Sequence, residues 1–150
     1  MRIAVGSDER TPLTDAVVDL LRSKGHELEL YGPLGDVSLP WPEVAEQVAS
    51  RVAAGACEQG MLFCWTGTGV SIAANKVPGV RAALCGDAET ARGARRWNDA
   101  NILCMSLRLV SPVVAQEMIE AWLAISGPEP DEAANIARVN DMDRARRAAG

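Results

Sequence analysis

The chain is poor in histidine and aromatic residues, with one histidine, one tyrosine and one phenylalanine in 150 residues. A single histidine excludes a histidine-based zinc centre. The four cysteines (57, 64, 85 and 104) show no C-x-x-C spacing that would replace it. No metal and no other cofactor is therefore expected. No apolar run reaches the length of a membrane span. The amino terminus meets Gly6, Ser7, Asp8, Glu9 and Arg10 too early for the apolar core of a signal peptide. A cytoplasmic protein with reduced cysteines is the reading that follows. The net charge of −5 speaks against an unspecific nucleic-acid surface.

What the sequence does have is alternation. Short apolar runs at residues 3–5, 27–31, 61–64, 80–85 and 101–105 predict strands. Between them, helical spacing predicts helices over 13–24, 43–54, 88–97 and 113–125, and one of small residues after Gly69. Leu13, Val17, Leu20 and Leu21 make one stripe, and Val44, Val48 and Val52 another. The hinge Gly127 to Pro130 leads to a charged helix over about 131–149. That helix carries few apolar residues and is expected to pack on something, such as a second subunit. No repeat or low-complexity linker divides the chain, and 150 residues make one domain. Strands and helices in alternation with short connections imply an α/β fold. The expected form is a Rossmann-like three-layer αβα sandwich with a five-stranded parallel sheet.

The stretch from Gly60 to Lys76 carries the chemistry. It reads as a buried strand, a turn from Trp65 to Gly69, and a helix. Cys64 then stands at the carboxyl end of a strand, where open α/β sheets bind ligands. Free N–H groups in the turn attract anions and favour a thiolate. The turn is no Walker A loop, because no Gly-Lys-Ser/Thr closes it. Gly67-Thr68-Gly69 is a poor dinucleotide fingerprint, because Ile72 holds the third glycine position. On this pattern alone, a tight turn that needs small residues for packing explains the glycines equally well. Asp8 alone reads as a turn or helix-cap aspartate. His26 reads as a solvated surface residue. Trp41 reads either as a cover over something or as packing. Arg92, Arg95 and Arg96 read as a solvated or subunit-facing surface.

The longer string, Cys64, Thr66, Gly67, Gly69, Ser71 and on through Asn75-Lys76, resembles the RpiB/LacA/LacB family of sugar-phosphate isomerases. That family includes ribose-5-phosphate isomerase B. Arg2 to Asp8 looks like the family's first strand and Gly-x-Asp turn. Trp41-Pro42-Glu43 is similar to its Tyr-Pro-Asp. Val80 to Cys85 and Asn98 to Leu103 match in order. The resemblance implies aldose–ketose isomerisation through an enediol, with Cys64 as the base. The reaction needs a base over a C–H bond and donors around the developing oxyanion. It assigns Thr66 to hydrogen bonding and the turn N–H groups of Trp65 to Gly69 to the oxyanion. Asp8 and Asn98 are assigned to substrate hydroxyls. Ser71 and Trp97 join the expected binding set. A sugar or sugar phosphate is the expected ligand, and a homodimer with the site at its interface the expected assembly. Cys57, Cys85 and Cys104 are read as packing residues.

The departures from the family pattern are specific. The family's Asp-His after strand one reads Asp8-Glu9 here. Its His-Asn-Asp-Ala-Asn reads Trp97 to Asn101, and tryptophan lacks the base credited with opening the sugar ring. Its Cys-Gly-Thr-Gly reads Cys64 to Gly67, which puts an indole at Trp65. Of two phosphate-binding arginines near the carboxyl terminus, the pattern keeps Arg138 and has Ala134 at the other position. Arg10, beside Asp8, is a candidate substitute charge. Two readings follow. One is a divergent isomerase using Cys64 on a small, open-chain or unphosphorylated sugar. The other is a non-catalytic sugar or sugar-phosphate binding or regulatory protein on the isomerase scaffold.

Overall fold

The computed structural model describes residues 1–150. In chain order the elements are β1 (Arg2–Ser7), α1 (Pro12–Ser23), β2 (Glu27–Tyr31), α2 (Trp41–Ala53), β3 (Gln59–Cys64) and α3 (Thr68–Ala74). They continue with β4 (Ala82–Leu84), α4 (Ala88–Asn98), β5 (Ile102–Ser106), α5 (Pro112–Leu123) and α6 (Ala133–Ala149). Short 3-10 turns at Gly32–Gly35 and Pro130–Glu132 precede α2 and α6. The five strands form one parallel sheet in the order β2-β1-β3-β5-β4. The expected three-layer α/β architecture is thus the architecture observed.

Alternation along each strand sorts the core into two halves. Ile3, Val5, Met61, Phe63, Leu103 and Met105 face α1, α4 and α5. Ala4, Leu62, Cys64, Ile102 and Cys104 face α2 and α3. The valine stripe of α2 sits on the second face because two strand glycines lie beneath it. A Cβ at Gly6 would fall 2.7 Å from Val44, and one at Gly60 would fall 2.9 Å from Val48. Any side chain at these positions would lift α2 from the sheet.

Two expectations are corrected. β4 is only three residues long rather than 80–85, because side chains already hold its approach. The Arg81 N–H donates to Asn101 Oδ1 at 2.8 Å. Asn75 then occupies the open edge: its amide donates to the Ala82 carbonyl at 2.9 Å and accepts from the Ala82 N–H at 2.8 Å. Nor is Arg95 a surface residue. It is buried, donates to the Ala100 carbonyl at 2.6 Å and lies 5.5 Å from the Trp122 ring centre. Trp122 is itself fully buried and donates to Gln59 Oε1 at 2.8 Å. The planar guanidinium is held in this place by the aromatic face, the carbonyl and the Asp99 carboxylate at 3.7 Å, while its Nε stays without a hydrogen-bond partner. Arg96 pairs with Glu129, and Arg92 with Glu89.

The order of strands locates a crevice. The chain moves outward from β1 to β2, then returns to the other side of β1 with β3. That reversal makes the carboxyl ends of β1 and β3 the switch point, where such sheets bind ligands. Ser7 is paired with Phe63, so Asp8 and Cys64 leave the sheet side by side. α6 buries only Ile136 and is tied to the body by Asn140 to Arg81 and by Asp143 to the Gly79 N–H. Replacing Asn75 with Ala should lower stability by about 1 kcal/mol, the net worth of hydrogen bonds in a solvent-accessible place. Urea unfolding should show a lower midpoint with an unchanged m-value.

Candidate active site

The turn after β3 is fixed through its carbonyls. Leu107 N–H donates to the Cys64 carbonyl at 3.0 Å, and Arg108 N–H to the Trp65 carbonyl at 3.1 Å. Ser106 Oγ also donates to the Trp65 carbonyl, at 3.0 Å. The tail of β5 therefore holds the acceptors of this turn and leaves its donors free. The N–H groups of Trp65 through Val70 make no hydrogen bond within the chain. Gly67 turns the corner with φ of 76°. A Cβ there would also meet Leu84 at 2.6 Å, so glycine is required twice over. Thr66 and Thr68 share a hydrogen bond between their hydroxyls at 2.8 Å.

Asp8 is aimed by its neighbour. The buried Ser7 hydroxyl accepts from the Glu9 N–H at 3.2 Å and donates to the Glu9 carbonyl at 2.5 Å. This closes a small turn with Asp8 at its tip. The Asp8 carboxylate forms no ion pair, and burial pushes its pKa above the ordinary carboxylate value, with Glu9 adding to the rise. Trp41 begins α2, and its indole lies against the bare α carbon of Gly69. Together Asp8, Trp41, Cys64, Trp65, Thr66, Thr68 and Gly69 line a cavity of about 290 Å³. Cys64 is 5% exposed at its floor, whereas Trp65 is 61% exposed at its rim.

The other three cysteines are set apart by their surroundings. Burial pushes the Cys57 and Cys85 thiols up to about 11, and the fully buried Cys104 thiol higher still. None lines the cavity.

Of the residues singled out in the sequence, Asp8, Cys64, Trp65, Thr66 and Gly69 meet in this cavity, and Gly67 shapes its turn. Ser71 does not line it; its N–H donates to the Gly67 carbonyl at 3.3 Å. Arg10 turns away, pairs with Asp15 at 2.9 Å and lines a separate groove. Trp97, folded back over Gly93, and Asn98 line a different groove of about 710 Å³ between β4 and α6. Arg138 is exposed on α6. Trp41 and Thr68 are the cavity residues that sequence reasoning left unassigned. A signal was present for Trp41: it opens the helix that follows the second strand and its loop, on the edge where helix starts and strand ends converge.

The charge balance of the cavity is informative. It holds one carboxylate and several free N–H groups but no basic side chain. One chain by itself gives an anionic substrate no counter-charge beyond backbone dipoles. The raised Asp8 pKa also has a stability consequence. For an acid whose folded pKa exceeds its unfolded value of 3.8, the favourable contribution exists below that value. It is lost as pH rises through the folded value. Asp8→Asn should therefore melt above the wild type at pH 7, and scanning calorimetry should show the gap closing toward pH 4.

The family model described as Ribose/Galactose Isomerase matches residues 3–142. The D-erythrulose-4-phosphate isomerase of Pectobacterium atrosepticum is 37% identical over 126 residues, which are 82% of each chain. The 4-deoxy-4-sulfo-D-erythrose isomerase of Clostridium sp. is also 37% identical over 126 residues, 82% of this chain and 79% of that one. Among solved structures, ribose-5-phosphate isomerase B of Clostridium thermocellum superposes with a TM-score of 0.90 at 35% identity. That match covers 97% of this chain and 99% of the other. With the fold, the switch-point cavity and the ordered motifs in agreement, the chain belongs to the ribose/galactose isomerase family, the RpiB/LacA/LacB sugar-phosphate isomerases.

Proposed function

We propose that the protein is an aldose–ketose isomerase for a short, open-chain sugar phosphate, with Cys64 as the base. The observation that carries this reading is the meeting of Cys64, Asp8 and a run of unengaged N–H groups in one small cavity. The Cys64 thiolate takes the proton from the carbon next to the substrate carbonyl. The C–H electron pair becomes the carbon–carbon double bond, and the carbonyl π pair moves to oxygen. The turn N–H groups hydrogen-bond that oxygen as its charge develops, where fixed dipoles act most strongly. The hydroxyl proton of the deprotonated carbon passes to this oxygen, and the Cys64 thiol returns its proton to the former carbonyl carbon. The carbon–carbon π pair forms that C–H bond while the freed oxygen pair forms the new carbonyl; no oxidant or reductant is consumed. Asp8 holds a substrate hydroxyl.

The substrate class follows from what stands at position 97. A tryptophan there has no base for opening a sugar ring. A four-carbon sugar whose fourth carbon carries phosphate or sulfonate has no free hydroxyl with which to close a five-membered ring. Two relatives are named for such substrates, D-erythrulose 4-phosphate and 4-deoxy-4-sulfo-D-erythrose. A tetrose phosphate is accordingly the first candidate, ahead of ribose 5-phosphate. The non-catalytic binding reading draws on the same substitution at Trp97.

Deuterium exchange separates the two readings. In heavy water with tetrose, pentose and hexose phosphates, NMR should show exchange at C1 and C2 of the four-carbon substrate. Cys64→Ala should reduce it by at least ~10²-fold, the scale of a general base. Binding without exchange across the whole panel would establish the non-catalytic reading instead.

The missing counter-charge supports a shared site. Arg138, Trp97 and Asn98 lie outside the cavity of their own chain, and Leu84, Trp97, Val139 and Met142 leave exposed apolar surface around β4 and α6. We propose that a second copy brings these residues to the cavity. Sedimentation should give a dimer at micromolar concentration. Mixing Cys64→Ala with Arg138→Ala subunits should restore exchange that neither variant shows alone; a monomer, or no restoration, would sink the shared site.

A further inference from the structure

We infer that Trp41 sets the length of substrate chain that the cavity accepts, which rests on the four-carbon reading above. Trp41 is the first residue of α2 and is 42% exposed. A Cβ added to Gly69 would fall 3.0 to 3.2 Å from three carbons of its ring, so the indole occupies the room that any side chain at position 69 would need. The cavity holding Cys64 and Asp8 therefore ends at a flat, apolar wall rather than at open turn backbone.

That wall is stiff. Val44, three residues along the helix, is fully buried, and so is Val48. Both press onto the glycine-floored strip of the sheet at Gly6 and Gly60. The helix that carries Trp41 cannot retreat without emptying this half of the core. Trp65 differs: it rides on the turn and is 61% exposed. Of the two indoles at the cavity, the fixed one discriminates by size. A rigid wall rejects an added CH(OH) unit because the longer chain must either leave its place beside Cys64 and Asp8 or displace packed atoms. One carbon in a confined pocket typically changes recognition by ~10- to 200-fold.

The test uses alditol phosphates, which have no carbonyl and cannot react, so it does not depend on turnover. Calorimetric titration with erythritol 4-phosphate and ribitol 5-phosphate should show the wild type binding the four-carbon compound at least ~10-fold more tightly. Trp41→Ala should narrow that ratio to within about threefold, chiefly by improving binding of the five-carbon compound. Trp41→Phe, which keeps a ring at the start of α2, should fall between and decides the matter if the alanine variant does not fold. Gly69→Ala, which displaces the indole, should weaken both ligands. An unchanged ratio in the folded Trp41 variants, no discrimination by the wild type, or no binding of either compound would each overturn the assignment. Discrimination that survives without any deuterium exchange would overturn the isomerase reading and leave the role of Trp41 standing.

Discussion

The site depends on how one turn is held. Hydrogen bonds from the tail of β5 take up the carbonyls of Cys64 and Trp65, so the following N–H groups have no partner in the chain. If those carbonyls were free, the turn could fold on itself and satisfy its own donors. Because they are fixed from the neighbouring strand, the donors beside the cavity stay unengaged by the chain. Gly67 makes this possible, since its positive φ and its closeness to Leu84 and Met105 leave no room for a side chain. The arrangement is preorganised, which is the condition under which backbone dipoles contribute most to a charge that forms during reaction.

The same architecture explains why the cavity is electrostatically unfinished. Apart from Trp41 at the start of α2, its lining comes from the switch point between β1 and β3, and that edge supplies a thiol, a carboxylate, hydroxyls and amides but no cation. The arginines are used elsewhere. Arg10 answers Asp15, Arg81 fastens Asp99 and the approach to β4, and Arg95 is sunk beneath α5 against Trp122. Asp99 adopts a left-handed conformation at the end of α4, and Arg81 binds both its carbonyl and its carboxylate. This network fixes Trp97 and Asn98 at the rim of the second groove. Their distance from Cys64 within one chain and the lack of positive charge beside Cys64 are two sides of one geometric fact.

The tryptophans mark where this member of the family differs in physical character. Trp122 is structural, wholly buried with its N–H satisfied by Gln59. Trp41, Trp65 and Trp97 are all partly exposed, and each lies at or near a groove. Rigid amphipathic rings in place of smaller or titratable side chains trade proton chemistry for surface and shape. The cavity keeps the thiol of Cys64 and lacks the imidazoles of the family pattern, which fits the proposed chemistry on a chain that is already open.

The alternation of strands and helices, the parallel α/β sheet, the valine stripe of α2, the position of Cys64 at a strand end and the family were all legible in the chain before it was folded. These are local properties: period, composition and short motifs are written in neighbouring residues. Folding settled what depends on residues far apart in the chain. It brought Asp8 beside Cys64 through the pairing of Ser7 with Phe63 and set Trp41 on Gly69. It drew Arg95 inside and shortened β4, because Asn75 and Asn101 had taken over its backbone groups. Arg10 shows the limit most plainly. Two residues from Asp8 in the chain, it was legible as a neighbour of the site. Yet its side chain found Asp15 in the first turn of α1, and a nearby carboxylate outweighs adjacency in sequence.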